Sequence, residues 1–180
     1  MIYQGIPVLG ISAWSGTGKT TLLTQAIPLL CDAGLHLGII KHTHHSFDID
    51  IPGKDSYRLR KAGAEQVIAA SRHRIAHIRE IGRDQAEPSL DDALATLHTD
   101  TLDLILVEGY KHSPIPKIEV FRASLKKPLL CIQDPQIFAI ATDVLDFSAR
   151  DIDVLDINNV SAFADYVIRW AQNARAAHAA

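Results

Sequence analysis

Val8-Leu9-Gly10-Ile11-Ser12-Ala13-Trp14-Ser15-Gly16-Thr17-Gly18-Lys19-Thr20 joins an apolar run to a glycine-rich turn and then to a lysine–threonine pair. This is the pattern of a phosphate-binding loop, with Ala13 where the first glycine usually stands. Small residues and glycines let consecutive backbone N–H groups turn inward around a polyphosphate. Lys19 then supplies a point charge for the β- and γ-phosphates, and the Thr20 hydroxyl a ligand for Mg²⁺. The helix expected next, about residues 18 to 33, points its positive end at the same anion. Leu22, Leu23, Ile27 and Leu30 give that helix an apolar face. Pro28 predicts a kink or an early end, and Gly34 a stop.

Working outward, the chain alternates strands and helices. Strands are expected near residues 8–13, 37–41, 66–70, 75–81, 102–107, 117–121, 129–132, 138–141 and 154–157. Residues 102–107 are almost wholly apolar, which fits a central parallel strand covered on both faces. Lys117 to Phe121 alternates and reads as a more exposed strand. A short helix should run from Asp55 to Ala62. Ser89 and Asp92 resemble a capping box that opens another helix. A final helix from about Asn159 carries Val160, Phe163, Val167 and Trp170 on one stripe, and its alanine-rich tail should fray. These features predict an α/β chain with the three-layer P-loop NTPase fold. Its sheet should be mostly parallel with an antiparallel extension, in a single nucleotide-binding domain over residues 1–180. The strands at 66–81 and near Glu119 do not fit simple winding; they are expected in the extension or in a dimer contact.

Composition narrows the class. The chain has 180 residues, a formal charge of −3 and 47% hydrophobic residues. It therefore has the make-up of an ordinary globular protein and lacks the basic surface of a nucleic-acid binder. No apolar run approaches the ~20 residues of a transmembrane helix, and no leader pattern opens the sequence. Cys31 and Cys131 lie in apolar neighbourhoods without metal-site spacing, which reads as buried free thiols in a reducing compartment. The expectation is a cytoplasmic protein with neither membrane nor nucleic acid as a partner.

Three further segments carry chemistry. Leu104 to Gly109 resembles the strand that delivers an acid beside Mg²⁺ and the attacking water. Glu108 at the strand's carboxyl end is preferred to Asp103 at its start, because ligands gather at carboxyl ends. Residues 41–50 hold His42, His44, His45, Asp48 and Asp50. They suit a loop that contacts the γ-phosphate and Mg²⁺, or a pterin; a transition-metal site; or a solvated loop. Asp55 suits a helix cap or support for the metal ion. Asp143, after a late strand, stands where a carboxylate would accept from the guanine N1 and exocyclic amine, although a plain turn aspartate fits equally well. These residues alone leave ATP and GTP nearly tied.

Taken together, Ala13 to Leu23, Ile40-Lys41-His42-Thr43-His44-His45, Pro52-Gly53-Lys54-Asp55-Ser56-Tyr57, Arg60-Lys61-Ala62-Gly63-Ala64 and Leu106-Val107-Glu108-Gly109-Tyr110-Lys111 resemble the MobB family. Its members are GTP-binding adaptors of molybdopterin guanine dinucleotide biosynthesis. The resemblance spans nearly the whole chain, and Ala13 is normal for it. It implies a homodimer with weak GTPase activity at most. It also implies a MobA-like guanylyltransferase as partner, with a molybdopterin cofactor as a possible ligand. By family motif Gly16, Thr17, Gly18, Lys19, Thr20 and Thr21 contact phosphate, and Glu108 is the acid near Mg²⁺. The alternatives are a small-molecule kinase or ATPase using the same loop, and a metal-binding scaffold centred on the histidines. Arg58 or Arg60 would be candidates to act across a dimer.

Overall fold

The opening apolar run is β2 (Ile6–Ala13), and every residue in it is buried. In the computed structural model, which describes residues 1–43, 47–82 and 85–179, β2 is flanked by parallel partners on both sides. The chain divides into two units. The first is Met1–His42 with the chain from Ser89 onward; the second is Thr43–Pro88.

In the first unit, β1 (Ile2–Tyr3) pairs antiparallel with β2. The other strands are β3 (Leu37–Lys41), β6 (Leu104–Glu108), β7 (Lys117–Phe121), β8 (Ile137–Thr142) and β9 (Asp153–Asp156). They run parallel in the order β3-β6-β2-β7-β8-β9. Helix α1 (Lys19–Asp32) buries Leu22, Leu23, Ala26 and Leu30, and α4 (Val160–Ala179) buries Phe163, Ala164, Val167 and Ala171. One core contains these residues together with Leu9, Ile11, Leu104, Leu106 and Ile118. A second core gathers Ile6, Val8, Ile105, Val107 and Ile115 with Leu90 and Leu94 of α3 (Leu90–Leu94). The sheet is thus covered on both faces, which is why its central strands read as unbroken apolar runs. Both bonds of the capping box form, between Ser89 and Asp92.

The second unit holds α2 (Asp55–Lys61) and a separate antiparallel pair, β4 (Gln66–Ala70) and β5 (Ile75–Arg79).

Several expectations need correcting. The strand 117–121 is not exposed and belongs to no extension: it is a buried, parallel, central strand. Its alternation misleads because Lys117 and Glu119 are buried with partners. Lys117 Nζ donates to the Ser113 carbonyl at 2.7 Å and to Asp134 at 2.9 Å. Glu119 accepts the amides of Leu130 and Cys131, both at 2.8 Å. Residues 129–132 form turns instead of a strand, since that buried carboxylate takes the amides a neighbouring strand would otherwise satisfy. Cys31 is exposed, while Cys131 is buried and its thiol is pushed up to about 11, chiefly by burial. Pro28 does not end α1, and the tail stays helical to Ala179.

Candidate functional site

The loop between β2 and α1 is built on two glycines in left-handed conformation, Gly16 (φ 81°) and Gly18 (φ 91°). An L-side chain at either would strain the turn that points amides inward. Buried Thr17 holds the turn from within, its hydroxyl donating to the Trp14 carbonyl at 2.6 Å. Trp14 is fixed in turn by its indole N–H, which donates to the Pro128 carbonyl at 2.7 Å. The Lys111 ammonium lies 4.8 Å from the centre of the indole ring, within cation–π range.

Loop and acid meet in one cavity. Its volume is about 360 Å³, and it is lined by Trp14 to Thr21 together with Glu108. That lies within the roughly 300–1,000 Å³ of small-molecule sites. Lys19 Nζ is 3.4 Å from Glu108 Oε1, and Lys41 Nζ is 3.5 Å from the same oxygen. The structure therefore brings together Gly16, Thr17, Gly18, Lys19, Thr20, Thr21 and Glu108. A hydroxyl and a carboxylate are hard oxygen donors, so Thr20 and Glu108 fit Mg²⁺. Glu108 lines this cavity, and Asp103 is not among its lining residues. Asp103 accepts the His36 amide at 2.9 Å and pairs with Arg175 at 3.0 Å.

A second cavity, of about 430 Å³, shares Gly16, Thr17, Gly18 and Thr21 with the first and continues to Arg122, Ile157 and Asn158. Sequence reasoning named neither Arg122 nor Asn158, and it took in Lys41 only as the first residue of the 41–50 segment, with no role of its own. The sequence offered only its place at the end of an expected strand; that this strand lies beside the one ending in Glu108 is seen in the structure. Asp143 follows β8, and its carboxylate accepts the Ala123 amide at 3.0 Å and faces Arg122 at 3.9 Å.

Asp55 lies in the second unit. It is the first residue of α2 and not its cap; Lys54 holds the cap position without a side-chain bond. Its carboxylate is exposed, 4.0 Å from Arg58. Arg60 pairs with Asp48 and Glu80, and Asp50 accepts from the Ser56 hydroxyl at 2.8 Å. The Arg60 guanidinium holds Asp48 below the usual carboxylate range, and the two carboxylates raise Arg60 in return. Arg60 is thus committed within its own unit. Among the described residues no group of three His, Cys, Asp or Glu side chains gathers to hold a metal. His44 and His45 of the proposed histidine cluster lie outside the described residues.

Residues 8–143 match the family model described as "MobB: Molybdopterin guanine dinucleotide synthesis protein B". The chain is 50% identical over 169 residues to a molybdopterin-guanine dinucleotide biosynthesis adapter protein of Escherichia coli K12, covering 93% of this chain and 94% of that one. It is 43% identical to the protein of the same description from Haemophilus influenzae, covering 92% and 89%. Among solved structures, a crystal structure of molybdopterin-guanine biosynthesis protein B superposes with a TM-score of 0.69 at 25% identity, over 91% of this chain and 99% of that one.

Proposed function

We propose, because this chain belongs to the molybdopterin guanine dinucleotide synthesis protein B (MobB) family, that it is a GTP-binding adaptor of molybdopterin guanine dinucleotide biosynthesis. The observation that carries the nucleotide reading is the shared cavity. A glycine-rich loop, the start of α1, Lys19 and Glu108 line one cavity. In this reading Gly16 to Thr21 hold the phosphates by backbone amides, and Lys19 neutralises the β–γ bridge. Thr20 and Glu108 hold Mg²⁺, which when bound neutralises the triphosphate and polarises the bond to its terminal phosphoryl group. Glu108 is also the group placed to orient the attacking water. Asp143 remains the base-reading candidate.

The adaptor role rests on the names of the Escherichia and Haemophilus relatives. Its partner is then a MobA-like guanylyltransferase, with a molybdopterin cofactor as a possible further ligand and the cytoplasm as its place of action. Among the described residues no helix is long and apolar enough to cross a membrane. A homodimer is favoured by the apolar side chains the second unit leaves exposed, Ile68 and Ile75 among them. Hydrolysis should be slow, at roughly 10⁻⁴ to 10⁻² per second, as in related sites without an arginine supplied in trans.

Titration with Mg-GTP and Mg-ATP tests the reading. Preference for GTP supports it, and equal affinity removes the guanine claim. Phosphate transfer from labelled ATP to a metabolite would favour the small-molecule kinase instead.

A further inference from the structure

Lys41 ends β3, and in the parallel register it pairs directly with Glu108, the last residue of β6. Its backbone is locked there. The His42 amide donates to the Glu108 carbonyl at 2.8 Å. Gly109 lets His42 come this close, since a Cβ on it would lie 2.6 Å from His42 Cβ. The His42 ring stacks on Tyr110 with centroids 4.3 Å apart. The Lys41 ammonium, by contrast, is only loosely held. Its side chain is 55% exposed, and it shares one carboxylate oxygen with Lys19. Two cations facing a single anion leave positive charge at the mouth of the phosphate cavity.

The sheet order gives that charge a direction. The second cavity, which continues the phosphate site, is reached from the β7 and β9 flank through Arg122, Ile157 and Asn158. Lys41 stands on the opposite flank of β2, beyond β6. A nucleotide whose nucleoside occupies the second cavity therefore extends its terminal phosphate toward Lys41. We propose that Lys41 is a second phosphate-binding cation, which contacts the terminal phosphate of a bound nucleoside triphosphate and so distinguishes it from the diphosphate. This rests on the nucleotide reading above and names a residue that reading does not need.

The test measures binding of GDP and of a non-hydrolysable GTP analogue, both with Mg²⁺, by calorimetry on the full chain. Lys41→Gln should weaken the analogue about tenfold or more, the scale of one charge-assisted contact, and leave GDP within about twofold. Lys41→Arg should restore most of the loss. Melting of Lys41→Gln without nucleotide should match wild type, because the ammonium is exposed. Equal losses for both nucleotides, or no loss for either, would overturn the assignment while wild-type binding kept the nucleotide reading intact. A wild-type chain that binds neither nucleotide overturns both.

Discussion

The ammonium of Lys19 stands 3.4 Å from Oε1 of Glu108, across the cavity that the glycine-rich loop encloses. The side chains are 18% and 15% exposed, so each retains a path to solvent and to a ligand. Lys41 Nζ lies 3.5 Å from the same oxygen, so removing the Lys19 ammonium leaves the Glu108 carboxylate with a cation beside it.

Lys19→Ala should therefore lose most nucleotide affinity and fold normally. The loss of a charge-assisted contact to phosphate predicts a Kd at least about tenfold weaker. Melting without nucleotide should shift by no more than a few degrees. A large fall in the melting temperature would make Lys19 a structural residue.

Glu108→Gln should keep nucleotide binding and slow hydrolysis. The amide removes the negative charge proposed to support Mg²⁺ and orient water, while the loop amides and Lys19 still hold phosphate. Single-turnover assays with saturating Mg-GTP would show the drop. Unchanged turnover would move the catalytic role to another group.

Glu119→Gln should destabilise the chain without touching the phosphate site. The carboxylate is fully buried and accepts two backbone amides at 2.8 Å. A carboxamide accepts one and turns a donor toward the other, at a cost of about 2 to 4 kcal/mol. Urea unfolding would register a lower midpoint with an unchanged slope.

These two buried charges also mark where sequence reasoning fell short. The apolar periods of β2, β6, α1 and α4 were legible because burial alone dictates them. Lys117 and Glu119 broke the pattern in β7, since each is satisfied by residues distant in sequence, Asp134 and the amides of Leu130 and Cys131. The residues at 129–132 were misread for the same reason. At the candidate site, the turn from Gly16 to Thr21 was legible from its glycine spacing, which the left-handed Gly16 and Gly18 require. Glu108 was legible from its place at a strand's end. Lys41 was not, because only the pairing of β3 with β6 brings it to Glu108. Asp55 was misjudged as a cap because helix starts shift by one residue without any change in composition.

Asp103 gives the chain a pH dependence. The His36 amide, chiefly, then the His36 ring and the Arg175 guanidinium hold its carboxyl below the usual range, against the opposing effect of burial. The folded state therefore binds this proton less readily than the unfolded chain does. Its stabilisation is complete above the unfolded value of about 3.9 and fades as pH falls through the lower folded value. Asp103→Asn should lower the urea midpoint at pH 7 and at pH 5, and the gap to wild type should narrow as pH falls below the unfolded value of about 3.9. A gap that persisted or widened in acid would place the effect elsewhere.

The most direct measurement is a crystal structure with Mg²⁺ and a non-hydrolysable GTP analogue. The account predicts the triphosphate on the amides of Gly16 to Thr20, with Lys19 on its β–γ portion and the metal ion between Thr20 and Glu108. A triphosphate bound elsewhere, or a loop collapsed so that side chains fill the cavity, would contradict it.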